Sequence, residues 1–186
     1  MGYRYDVFVS YTWRVPRAQQ WVRHVLHPPL TDFLQLEAQI PPDRVFLDER
    51  DVRPGMEVET NVHEALRDSR VLLAVLSPQY FESGWCLTEF HTMLARQQAT
   101  GKRVLYPLAV WDGDKYAPEA RALGPHDYNM WGTLERGMRR KRWNDTVREL
   151  AKVLEPLVRA SPDHDPTWTV TVHQDPQEPH IDRQGY

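Results

Sequence analysis

The run RVLLAVL, Arg70–Leu76, is apolar at every position after the first. A strand with one wet face alternates apolar and polar residues, whereas a run without alternation needs cover on both faces. This places Arg70–Leu76 in the middle of a sheet, between two layers of helix. The flanking sequence supplies those layers. Tyr5–Tyr11 (YDVFVSY), Val45–Leu47 (VFL) and Arg103–Val110 (RVLYPLAV) read as further strands, rich in β-branched and aromatic residues. Pro107 predicts an edge position or a bulge for the last of them. A short strand is expected near Tyr128–Trp131. Residues 17–39 carry Trp21, Val22, Val25, Leu26, Leu30, Phe33, Leu34 and Leu36 at helical spacing, with a kink expected at Pro28-Pro29. A second helix shows Val58, Val62, Ala65 and Leu66 on one face, and a third runs from about Trp85 to Ala99 and stops at Gly101. A final helix, with Asn144 as its expected cap, turns Val147, Leu150, Ala151, Leu154 and Leu157 inward.

Strand–helix alternation predicts right-handed crossovers and a parallel sheet with helices on both faces. Ligands in such folds bind outside the carboxyl ends of the strands. Three loops leave those ends, after Tyr11, after Leu47 and after Leu76. The third opens SPQYFESGWCLTEF, Ser77–Phe90, in which Trp85 and Glu89 stand four residues apart where loop becomes helix. At that spacing they share a helix face.

The rest of the chain narrows the function classes. A net charge of −3 gives no electrostatic case for nucleic acid or an acidic membrane as the main partner. The basic run RGMRRKR at 136–142 lacks interleaved aromatics and reads as a solvated face. Cys86 is the single cysteine, so no internal disulfide forms, and it reads as a buried small apolar side chain. The first residues do not form a signal peptide, and no segment approaches the roughly 18 apolar residues of a membrane span, so a cytoplasmic location is expected. His24 and His27 are three apart, but no cysteine or carboxylate pattern joins them, and no metal site is expected. Asp6 and Ser10 read as structural, bonding to nearby backbone. From Ser161 onward the composition shifts to Pro, Asp, His and Gln. These features divide the chain into a domain at 1–160 and an extension at 161–186. TWTVTVH at 167–173 alternates as a strand added to a sheet edge or offered to a partner chain; the remainder reads as a flexible tail.

YDVFVSYTWR, VFLDERDVRPGMEV and SPQYFESGWCLTEF resemble, in order, the three boxes of the Toll/interleukin-1 receptor (TIR) domain family, over about residues 4–158. The resemblance is to the NAD+-cleaving bacterial members. It implies a flavodoxin-like sandwich with a central parallel sheet of about five strands. It implies that Glu89 is catalytic and that Trp85 lines the site. It also implies that Tyr11, Thr12, Trp13 and Arg14 contact NAD+, the substrate, with no resident cofactor. Arg53, Pro54, Gly55 and Met56 become the loop through which TIR domains assemble. The resemblance further implies homo-oligomerisation on activation, a sensor in a separate protein or a missing domain, and a role in antiphage defence or cell-death signalling. The family also holds scaffolds, so the alternative is a non-catalytic TIR–TIR interaction module.

Overall fold

The computed structural model of the chain describes residues 2–47, 56–110, 118–123, 126–127 and 140–173. The strands are β1 (Tyr5–Tyr11), β2 (Val45–Leu47), β3 (Ser69–Leu76), β4 (Leu105–Ala109) and β5 (His126–Asp127). All pair in parallel, in the order β2-β1-β3-β4-β5. The helices are α1 (Pro16–Trp21), α2 (His27–Ala38), α3 (Met56–Arg67), α4 (Gly84–Thr100), α5 (Pro118–Ala122) and α6 (Arg140–Ala160). This is the expected flavodoxin-like sheet. The RVLLAVL run forms β3 at its centre, and Val71–Leu76 are at most 3% exposed.

The pleat sends alternate residues to opposite layers. Val7, Val9 and Tyr11 of β1 join Val71, Leu73 and Val75 of β3 against α1, α2 and α6. Phe8 joins Leu72, Ala74 and Leu76 on the other face, against α3 and α4. Ser10 has the parity of Phe8, which turns it toward α4. At the opposite end of the sheet, Asp6, expected to bond nearby backbone, is held instead by two distant side chains, the guanidinium of Arg44 (2.6 and 2.9 Å) and that of Arg70 (2.9 Å).

Four local expectations change in the folded chain. Pro28-Pro29 does not break the helix. Residues Val22–Leu26 form a π-helical turn just before it, with the His27 N–H bonded to the Val22 carbonyl. The wider turn accommodates two residues that cannot donate to the preceding turn. Pro107 lies in a strand paired on both sides. The Val104 carbonyl and Val110 N–H point toward β3, so by alternation the Pro107 nitrogen faces the β5 side, where the described pairing is Leu108 with His126 and Ala109 with Asp127. Asn144 does not cap α6, which starts four residues earlier at Arg140 and buries Trp143. Residues 167–173 form no strand: Thr167 closes a turn, and the residues after it run along α4. The strand expected at Tyr128–Trp131 and residues Arg53, Pro54 and Gly55 lie outside the described residues; Met56 is the first residue of α3. Among the described residues, no helix is long and apolar enough to cross a membrane, and no group of three or more His, Cys, Asp or Glu could hold a metal ion.

Candidate functional site

The strand order places the site. From β1 the chain steps outward to β2, and from β3 it proceeds the other way through β4 to β5, so the topological switch point lies between β1 and β3. At its carboxyl edge Ser10 and Tyr11 stand in register with Ala74 and Val75. After β3 comes a 3-10 turn, Pro78–Glu82, and then α4. The Ser83 hydroxyl caps α4 by accepting from the Cys86 N–H at 3.4 Å. This start fixes the rotation of α4, so that Cys86, Phe90 and Met93 enter the core. Glu89, on the same turn, comes over the end of β1.

Glu89 is 2% exposed. Its Oε2 accepts a hydrogen bond from the Ser10 hydroxyl at 2.5 Å. The Tyr80 hydroxyl lies 2.6 Å from the same Ser10 oxygen. A serine has one proton to give. Because that proton goes to Glu89, Tyr80 must be the donor to Ser10. The protons therefore run Tyr80→Ser10→Glu89. Burial, reinforced by Cys86 and Glu89, raises the Tyr80 phenol well above its ordinary 10.0, so it keeps the proton that this direction requires. One carboxylate oxygen is thus fixed by a chain anchored in the sheet and the turn after β3.

The raised phenol has a measurable consequence. The stability contributed by a neutral buried Tyr80 is fully present below the unfolded value near 10 and is lost as pH rises through the folded value. Urea unfolding at about pH 9 and about pH 11 is expected to show a steeper alkaline loss in the wild type than in Tyr80→Phe.

Trp85 is half-buried one turn before Glu89, on the α3–α4 side of the sheet, with its ring centroid 5.4 Å from that of His63. Tyr11 and Trp13 lie in the other layer. Tyr11 is 3% exposed and faces α1 and α2, where its hydroxyl accepts from Arg23 Nε at 3.1 Å. Trp13 stacks on Tyr11 at 6.1 Å and lies under the Arg23 guanidinium at 5.0 Å. Thr12 is buried, and its hydroxyl accepts the Arg14 N–H at 3.3 Å. The fold therefore gathers Glu89 and Trp85 with Ser10 and Tyr80, and sends the Tyr11 and Trp13 side chains to the opposite layer. Ser10 was expected to bond to nearby backbone; it bonds to a side chain 79 residues away. The signal that identifies it is the parity it shares with Phe8.

The TIR domain family model matches residues 7–151. Human Toll-like receptor 4 is 33% identical over 87 residues, covering 46% of this chain and 9% of the receptor. The probable 2' cyclic ADP-D-ribose synthase BdTIR of Brachypodium distachyon is 29% identical over 123 residues, covering 62% of this chain and 50% of that protein. The chain thus spans at most half the length of these two relatives. Among solved structures, the TIR domain of the Toll-related receptor TRR-2 from Hydra magnipapillata superposes with a TM-score of 0.48 at 22% identity, covering 73% of this chain and 98% of that one.

Proposed function

This chain belongs to the TIR domain family, and from that membership and the Glu89 site we propose that it is an NAD+ glycohydrolase switched on by self-assembly. The observation that carries the reading is the buried Glu89 carboxylate, anchored by Ser10 and Tyr80 one helical turn beyond Trp85, at the switch point of the sheet.

The chemistry suits a single carboxylate. The bond to be cleaved joins ribose C1′ to a pyridinium nitrogen. Its electron pair leaves with nicotinamide, which departs neutral and needs no general acid. Ordinary glycoside hydrolysis, by contrast, needs a second carboxyl group to protonate the leaving oxygen. Positive charge develops on the ribose as an oxocarbenium ion, and a carboxylate fixed in place stabilises it without reorganising. Water then adds at C1′, giving ADP-ribose and a proton. A nucleophile of the same molecule gives a cyclic ADP-ribose and a proton instead. Trp85 offers an aromatic face for a ring of the substrate. Backbone N–H groups of the loop after β1, with the Arg14 guanidinium, suit the pyrophosphate.

At 2% exposure Glu89 is closed to a ligand in the isolated chain. We therefore assign activation to an opening of the site on assembly, with residues 53–56 as the contacting loop, a separate sensor or missing domain as the trigger, and antiphage defence or cell-death signalling as the setting. The alternative, a non-catalytic interaction module, is favoured by one observation: one relative is a Toll-like receptor, 33% identical over 87 residues, beside 29% over 123 residues for the probable synthase. Chromatographic detection of nicotinamide from NAD+, with the chain tethered into assemblies, separates the two readings, and the second product peak distinguishes hydrolysis from cyclisation. In the same assay Ser10→Ala, which releases the Glu89 oxygen, is expected to lower kcat roughly 10²-fold with a small effect on KM.

A further inference from the structure

We infer that residues 165–173 form a releasable strap, and that its seating on α4 steadies the hydrogen-bonded group around Glu89. Residues 161–164 are firmly tied. Arg70 donates to the Ser161 hydroxyl (3.0 Å), the Tyr3 hydroxyl donates to the Asp163 carbonyl (3.3 Å), and His164 Nε2 lies 3.0 Å from Asp68 while its ring meets Tyr3 edge-on. A turn follows, in which both the N–H and the hydroxyl of Thr167 bond to Asp165. The chain then runs antiparallel to α4. Trp168 lies over the Arg96 guanidinium at 5.4 Å. The Thr171 N–H donates to the Thr92 hydroxyl at 2.8 Å, and the His173 N–H donates to the Thr88 hydroxyl at 2.8 Å. His173 Nε2 meets His91 Nδ1 at 2.8 Å.

The fit is one of matching periods. Two residues of extended chain advance about 6.6 Å, and four residues of helix advance about 6 Å. Alternate amides of the strap therefore fall on threonines one turn apart. The TWTVTVH alternation that reads as a β-strand instead matches alternate amides to successive turns of a helix.

The surface under the strap is polar. Threonine hydroxyls and an imidazole can turn to water when the strap lifts, so the face survives uncovering. Val170 alone among the strap's aliphatic residues packs against the core, and Val172 is 61% exposed. The turn at 165–167 is the hinge, because the residues before it are fixed.

The seated strap reaches Glu89 through a continuous set of contacts. The His91 ring packs edge-on against Phe90 at 5.8 Å. Phe90 packs against Tyr80 at 6.4 Å. Tyr80 donates to Ser10, and Ser10 to Glu89. His91 is thus a positioning residue, and the strap's two states are the element that biases this path.

The test is amide hydrogen exchange, corrected for intrinsic rates, on the wild-type chain and on Trp168→Ala/His173→Ala, with nicotinamide release measured in parallel on each chain tethered into assemblies. In the wild type the Thr171 and His173 amides should be protected. In the double variant they should lose at least tenfold in protection, the α4 amides from Leu87 to His91 should lose severalfold, α6 should be unchanged, and nicotinamide release should fall severalfold. An unprotected strap in the wild type, unchanged strap amides in the variant, α4 amides unchanged beneath an opened strap, or release that rises would each overturn the inference. Only the activity measurement rests on the NAD+ reading, so a wild type without NAD+ cleavage leaves the exchange result to decide alone.

Discussion

Glu89→Gln is expected to cut nicotinamide release from NAD+ by roughly 10³-fold, almost wholly in kcat. Glutamine keeps the shape and an oxygen that can accept from Ser10, so the buried network around Ser10 and Tyr80 survives. What it removes is the negative charge. That charge matters little to bound NAD+ and most when the ribose becomes cationic, so the loss falls on the transition state and spares KM. Thermal unfolding of the variant should stay close to wild type, which makes the kinetic result specific. Alanine would be a poorer choice, because it also leaves Ser10 without its acceptor in a buried site.

Arg96→Leu is expected to destabilise the fold by about 3 kcal/mol, the worth of two hydrogen bonds to a charged donor. The side chain is 2% exposed yet carries a guanidinium. Burial lowers its pKa from the ordinary arginine value, opposed by Tyr3, Asp165 and Asp68. The guanidinium donates to the Ser69 carbonyl (2.9 Å) and to the Arg67 carbonyl (2.9 Å), where α3 ends and β3 begins. Tyr3 and Trp168 both lie within cation–π range of it, at 5.9 and 5.4 Å. Leucine fills part of the volume and leaves both carbonyls unsatisfied. Arg96→Lys should recover little, because an ammonium cannot span both carbonyls as a fork does. Urea unfolding followed by circular dichroism measures both.

What could be read from the sequence follows from range. RVLLAVL announced a central strand because burial on both faces erases alternation, a local property. The pairing of Trp85 with Glu89 was legible because four residues of helix make one turn. The Ser10–Glu89 bond was not, since it depends on a crossover that brings β1 beside the helix after β3. The pleat sends Tyr11 to the opposite layer from Glu89, although it adjoins Ser10 in sequence. Residues 167–173 alternate as a strand would, but period alone does not reveal whether such a segment lies against a strand or a helix. Pro28-Pro29 was read as a kink because a π-helical turn upstream leaves no mark in apolar spacing.

NAD+ cleavage by Glu89 in the assembled chain is open to a simple comparison. The most direct measurement is chromatography of NAD+ incubated with wild type and Glu89→Gln, each dilute and each held in assemblies by a fused oligomerisation tag. Cleavage by Glu89 on assembly gives nicotinamide from assembled wild type, little from dilute wild type, and none above background from the variant in either state. Assembled wild type that leaves NAD+ intact would contradict it and leave the interaction module as the better description of this TIR domain.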